Sequence, residues 1–290
     1  MPLDLFLLVC LAAVLHATWN LVSKRASSAG ASFVLAYRLF STLLFAPWVI
    51  YVLWFDGMAW SLPVVAFIAL SSVLHLFYGI YLQRGYQAAD LSVVYPIARG
   101  TGPLLATAGA FLLLGEQATA SGLIGIACVV IGVLLIATQA RWRMFLKPQA
   151  WVGVRWGVVI GIFIACYTLS DAYSVKALGI VPVVLDWMGG LGMTCMLAPT
   201  AWLQRNKLRD RMRGKWGLAF IVGLLSPTAY ILVLYALQHG APVSLVAPLR
   251  ETSLMVATLA SYFILKEKVG PARWLGCIVI LLGVVALSGH

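Results

Sequence analysis

The chain has 290 residues, 62% hydrophobic and only 10% charged, with a mean hydropathy of +0.98. A water-soluble domain carries about 25% charged residues and no more than about 50% apolar ones, so soluble enzymes, DNA-binding domains and disulfide scaffolds are excluded. The net charge of +11 suggests nucleic acid, yet the charges fall in short connections between apolar runs, where a membrane protein keeps them.

In chain order the apolar runs are 4–22, 32–54, 62–83, 91–114, 119–138, 153–174, 180–203, 216–237, 243–265 and 271–288. A helix needs about 20 residues to cross a hydrocarbon core of about 30 Å, so these runs predict an all-α polytopic membrane protein with ten transmembrane helices. The first run is no cleavable signal, because Asp4 is the only charge before it. Connections after odd-numbered spans carry Lys24 and Arg25; Arg84; Arg141, Arg143 and Lys147; the basic run from Arg205 to Lys215; and Lys266 and Lys268. The opposite side holds Lys176 alone. Basic residues collect on the cytoplasmic face, which places the chain in the cytoplasmic (inner) membrane with both termini extracytoplasmic.

The halves repeat. Ser92, Pro96 and Arg99 stand against Ser244, Pro248 and Arg250 with one residue deleted. From Arg99 onward a constant offset matches Thr101 to Thr252, Glu116 to Glu267, Gly125 to Gly276 and Gly132 to Gly283. Tyr78 likewise meets Tyr230. Units of five spans must run through the bilayer in opposite senses, so residues 1–140 and 153–290 read as two inverted five-helix repeats joined by a cytoplasmic connection at 141–152.

The ten-span plan, the His16-to-Asn20 segment with Trp19 in span 1, and the two Pro-to-Arg motifs that lead to helix-ending Glu116 and Glu267 resemble the drug/metabolite transporter superfamily. Within it the chain is most similar to EamA-type exporters. The resemblance covers nearly the whole chain and implies a central cavity lined mainly by spans 1, 3, 4, 6, 8 and 9. It implies secondary transport, in the export direction.

Charged side chains near mid-bilayer are costly unless they face protein or water, so each is a candidate site residue. Arg38 lies about 9 Å and Arg99 about 12 Å from the cytoplasmic face by helical rise. Asp186, Arg250 and Glu251 lie in the outer half, and Asp171 near the outer end of span 6. Two layers are expected: a basic inner one that recruits a carboxylate through Arg99 with Arg38 in support, and an outer one that gates through an Arg250–Asp pair. Arg250, Glu251, Asp186 and Asp171 are the candidates for gating or proton coupling, since a carboxylate taken out of water accepts a proton more readily. Neutralising Arg99 is expected to cut transport without unfolding the protein. Trp19, Tyr78, Tyr95 and Tyr230 are the candidate aromatic lining, and Tyr167 falls on the same set of spans.

Trp48, Trp54, Trp60, Trp151 and Trp216 read as an interface belt. Gly153, Gly157 and Gly161 put one small face along span 6 for close packing. Gly100, Gly102 and Pro103 predict a bend or local opening near Arg99. Glu116 and Glu267 should contact connections or basic residues, and the five cysteines read as small core hydrophobes. His16 and His75 read as packing or polar contacts. No phosphate loop appears, so ATP-driven pumping is not expected. The histidines and cysteines lack metal-ligand spacing, and no nucleophile is paired with His and Asp, so neither a metal, a cofactor nor catalysis is expected. The basic run lacks interleaved aromatics for base stacking; lipid headgroups, not nucleic acid, are its expected partner. The expectation is a secondary transporter of a small polar metabolite, amino-acid-like or carboxylate-bearing, that exports it by alternating access. The rival readings are a lipid or amphiphile flippase on the same frame and, third, a membrane-embedded enzyme acting on lipid-linked substrates through acids such as Asp171, Asp186 and Glu251.

Overall fold

A computed structural model describes residues 1–29, 31–146, 148, 150–203, 208–263, 266 and 268–288. Lys147, Arg205, Lys207, Glu267 and His290 lie outside the described residues. Helices follow one another as α1 (Leu3–Arg25), α2 (Ala31–Tyr51, continued by a wider turn over Val52–Asp56), α3 (Leu62–Ala88), α4 (Leu91–Leu113), α5 (Ala120–Thr138), α6 (Ala150–Lys176), α7 (Pro182–Leu203), the short α8 (Leu208–Met212), α9 (Trp216–Gln238), α10 (Val243–Arg250), α11 (Thr252–Phe263) and α12 (Pro271–Ser288).

Local chemistry sets the starts. Ser61 accepts from the Val64 amide at 3.4 Å, Asp90 from the Ser92 amide at 2.9 Å, and Thr119 from the Gly122 amide at 3.2 Å. Each satisfies a first-turn N–H that has no partner within its helix. The start of α10 is different. Its N-cap residue is Pro242, which offers no side-chain acceptor. Glu116, from the segment after α4, supplies the acceptor instead: its carboxylate takes the Val243 amide at 2.6 Å and the Ser244 amide at 2.9 Å, with the Lys176 ammonium at 3.4 Å.

Among the described residues, seven helical stretches are long and apolar enough to cross a membrane: Leu3–Arg25, Ser32–Asp56, Leu62–Ala88, Ala120–Thr138, Ala150–Lys176, Trp216–Gln238 and Val243–Phe263. The protein is a multi-pass membrane protein. The outward surface agrees, for Leu62 and Leu112 are 83% exposed and Trp54 81%. So much apolar surface is stable against lipid and not against water. Trp48, Trp60, Trp151 and Trp216 are exposed as well. α4 is 23 residues long but carries Pro96, Arg99, Thr101 and Pro103, and many of its side chains are buried against protein.

Packing pairs the helices in a regular scheme. α4 lies along α6, α5 along α12, α1 along α9, α3 along α6, α2 along both α9 and α7, and α3 along α7. Glycine permits the closest approaches. A methyl on Gly157 would lie 2.6 Å from Ile97, so the small face of α6 admits α4, as expected. At the α5–α12 crossing a Cβ on Gly132 would meet the Gly276 carbonyl at 2.7 Å, and one on Gly276 the Gly132 carbonyl at 2.8 Å.

Two expectations are corrected. α4 stays helical from Leu91 to Leu113, so no opening forms around Arg99. The break lies at the matching place in the second half, where Glu251 separates α10 from α11. There Glu251 bonds only three residues back, to the Pro248 carbonyl at 2.9 Å, and the Thr252 hydroxyl takes the Leu249 carbonyl at 2.7 Å. Pro248, which has no N–H, and these substitute bonds explain why the ladder yields here. In α4, by contrast, Gly102 is pressed against Ile164 of α6, and the helix runs on without a break. The cysteines are not uniformly core residues: Cys277 is buried, but Cys166 and Cys195 are exposed on apolar helix surfaces.

Candidate functional site

A cavity of about 720 Å³ runs through the centre. Its walls come from α1, α2, α3, α4, α6, α7, α9 and the end of α10. The expected six spans are all there; α2 and α7 join them, bringing Arg38 and Asp186. One end reaches Arg84 and Gln87, near the last turn of α3. The other is closed by a buried apolar cluster that includes Leu5, Val9, Val64, Val175, Leu185 and Val246.

The cavity brings together Trp19, Arg38, Tyr78, Tyr95, Arg99, Asp186, Tyr230 and Arg250 from the sequence-derived candidates. Among the described residues its charged lining is four arginines, Arg38, Arg84, Arg99 and Arg250, against Asp186 alone. Arg38 carries a buried Nε with no hydrogen-bond partner, which places the side chain in the protein rather than reaching to headgroups. Its guanidinium lies 5.6 Å from the Tyr37 ring centre, and that of Arg250 lies 5.4 Å from the Tyr230 ring. Both are cation–π arrangements that leave the edges of the fork available.

Glu251 and Asp171 are placed differently. Glu251 does not line the cavity; it is 5% exposed and its Oε1 accepts from Arg99 Nη1 at 3.0 Å. The other nitrogen of that fork, Nη2, is 3.3 Å from His16 Nε2. The two expected layers therefore meet: Arg99 and Glu251 form one part-buried ion pair. Asp171 is 1% exposed and not solvated at an interface. Its Oδ2 accepts from the Tyr230 hydroxyl, and His75 Nε2 stands 3.9 Å from the same oxygen. The expected Arg250–Asp gate is absent among the described residues, because Arg250 lies over the ring whose hydroxyl Asp171 holds.

Sequence reasoning missed His16 and His75 as site residues. Both line the cavity, where His16 meets Trp19 edge-on at 5.0 Å and His75 lies 4.4 Å from the Tyr167 ring. Their signal was present: each is a polar residue in an apolar span, on a helix that also supplies an aromatic lining residue.

Residues 5–138 and again residues 151–289 match the EamA-like transporter family. The chain belongs to the EamA-like transporter family. This family lies in the drug/metabolite transporter superfamily. The uncharacterized transporter YwfM of Bacillus subtilis (strain 168) is 25% identical over 257 residues, covering 87% of this chain and 82% of that protein. The probable 4-amino-4-deoxy-L-arabinose-phosphoundecaprenol flippase subunit ArnE of Salmonella paratyphi C (strain RKS4594) is 30% identical over 111 residues, which are 38% of this chain and 96% of ArnE. A crystal structure of a protein 16% identical in sequence aligns over 98% of both chains with a TM-score of 0.75, a likeness of fold.

Proposed function

We propose that this EamA-family transporter is a secondary transporter that carries a small polar metabolite, amino-acid-like or carboxylate-bearing, out of the cytoplasm by alternating access. The observation that carries the substrate class is the lining charge: four arginines against one aspartate in a cavity of about 720 Å³. An anion entering such a site meets guanidinium forks suited to a planar carboxylate. Arg99, Arg38 and Arg250 contact the anionic group, with Arg250 moved from the gate to the cavity wall. Trp19, Tyr78, Tyr95 and Tyr230 hold the apolar remainder of the substrate. Asp186 receives an ammonium where the substrate has one, and Asp171 and Glu251 serve gating or proton coupling. The activity is transport without chemistry, and it uses neither ATP nor a cofactor.

The frame of the proposal is ten spans in two inverted repeats, 1–140 and 153–290, joined through 141–152. Three features support it: the doubled family match, the α5–α12 and α2–α7 pairings of each equivalent span with its counterpart, and the coupled pairings α1–α9 with α3–α6 and α2–α9 with α3–α7. Each of these maps onto itself or onto its companion when the halves are exchanged, which is the relation alternating access requires. α4, α7 and α12, with 23, 22 and 18 residues, complete the ten. With basic connections inside, the cytoplasmic membrane holds the chain with both termini outside. The Arg84 end of the cavity then faces the cytoplasm, and the structure corresponds to the inward-facing state.

The test is thermal unfolding of the purified protein in detergent against amino acids, organic and phosphorylated anions, organic cations and lysolipids. A ligand confined to the folded state stabilises it by about 2.7 kcal/mol at a hundred times its Kd. Stabilisation by carboxylates, lost in Arg250→Gln and Arg38→Gln, is the expected result. A response to cations alone contradicts the substrate class, and a response to lysolipids alone favours flipping of an amphiphile on the same frame.

A further inference from the structure

The Arg99–Glu251 pair joins the two family-matched segments, and three features make it exchangeable. Arg99 lines the cavity and Glu251 does not, so a ligand reaches the cation of the pair and leaves its anion behind the wall. The pair is a single bond: Glu251 Oε1 is taken at 3.0 Å, while Oε2 is buried without any hydrogen-bond partner. A buried carboxylate satisfied on one oxygen is a poor competitor for a free carboxylate, which can bring both oxygens to the fork. Finally, Glu251 stands at the break between α10 and α11, where the backbone already departs from the regular ladder.

Resting on the anionic-substrate reading above, we propose that the substrate carboxylate takes Arg99 from Glu251 and that the released Glu251 carboxylate takes up one proton from water, so that anion and proton bind together. The balance is one substrate anion and one proton entering; the Arg99 charge is then matched by the substrate, and Glu251 becomes a neutral acid.

The surroundings leave the proton as the partner for Glu251. Among the described residues, the charged and titratable groups facing this region include Arg99 and Tyr95 on α4, His16 on α1, Tyr78 and Tyr86 on α3, Tyr167 on α6, Tyr230 on α9 and Arg250 on α10. α5 and α11 carry no charged residue, and α12 carries Arg273 near its start. Arg250 is adjacent in sequence, but neighbouring residues point about 100° apart around a helix and its guanidinium lies over Tyr230. An unpaired buried carboxylate is costly, and the neutral acid is the less costly form. Arg99 keeps its place when Glu251 lets go, since the Tyr95 ring centre is 5.6 Å from its guanidinium and His16 is on Nη2.

Linkage fixes the sense of coupling. If the anion favours protonated Glu251, a proton favours the anion by the same factor, and the two cross together. Export then runs down the substrate's own gradient, with one proton carried in the same direction.

The test uses hydrocinnamate, an aromatic monocarboxylate, as probe in isothermal titration calorimetry on the full chain in detergent. Its Kd falls as the pH is lowered, with a limiting slope of one linked proton. Buffers of different ionisation enthalpy report uptake of close to one proton. In Glu251→Gln the probe binds tightly with a flat profile. Glu251→Asp, whose shorter reach loosens the pair, binds more tightly than wild type at pH 8 and keeps the slope; it decides the matter if the Gln variant does not fold. A flat wild-type profile without proton uptake, or a slope that persists in Glu251→Gln, overturns the proposal and leaves the substrate class standing. Absence of binding by hydrocinnamate and by every other carboxylate of the thermal panel, at any pH, overturns the substrate class and this proposal with it.

Discussion

Replacing Arg99 with Gln leaves Glu251 as a buried carboxylate with neither oxygen paired. Breaking one partner of such a pair costs about 3–5 kcal/mol. The Arg99→Gln protein should therefore unfold at a clearly lower temperature, and the double variant Arg99→Gln/Glu251→Gln should regain most of the loss. Equal melting of the single variant and wild type would show that the pair contributes nothing. The sequence alone suggested that Arg99 could be neutralised without harm to the fold, because it revealed no partner. The reason is geometric. Arg99 and Glu251 each lie eight residues into a helix, about 12 Å from opposite faces of a core of about 30 Å, so only about 6 Å of depth separates them. Depth counted from each helix end put them in separate layers, whereas two long side chains close that gap. Both were legible as mid-span charges; their pairing across 152 residues was not. Asp171 was hidden for a related reason. Counting placed it near the outer interface, but the aromatic and apolar residues that seal that end bury it to 1% exposure.

At the scale of elements, Glu116 acts across segments. It supplies the acceptors that Pro242 lacks, and a carboxylate is favoured beside the positive end of a helix. Glu116→Ala should cost about 1–2 kcal/mol, the usual loss when a helix start is left uncapped. Amide hydrogen exchange at Val243 and Ser244 should quicken while α5 and α12 remain protected; unchanged exchange at those two amides would contradict the capping role. The α5–α12 crossing makes a second demand. Gly132→Leu places a side chain where a Cβ alone would meet the Gly276 carbonyl at 2.7 Å. Overpacking of this kind costs about 1–3 kcal/mol, and a lowered melting temperature without loss of ligand binding is expected. These glycines were readable in the sequence, because the repeat aligned Gly125 with Gly276 and Gly132 with Gly283. The helix break was read in the wrong half. Glycine and proline near Arg99 signalled it, but α4 stays unbroken where α6 packs closely against it, and that support is a tertiary contact that composition does not record.

For the whole molecule, hydropathy and the positions of charges defined the helix order, since bilayer thickness leaves few other arrangements for such a chain, and the family resemblance implied the central cavity. What they left open was the composition of the cavity wall. α2 and α7 contribute Arg38 and Asp186, and the two histidines join the arginines and tyrosines as polar groups in a lining that also holds many aliphatic residues. On the proposed reading, that lining ties the family's transport activity to an anionic cargo. Reconstituted liposomes test the tie most directly. Vesicles loaded with a water-soluble metabolite extract are compared with and without the protein, and mass spectrometry identifies what leaves. Carboxylate-bearing metabolites should escape faster from the protein-containing vesicles, and not from vesicles that hold Arg250→Gln. Release of cations alone, or no difference from protein-free vesicles for any solute, would contradict the account.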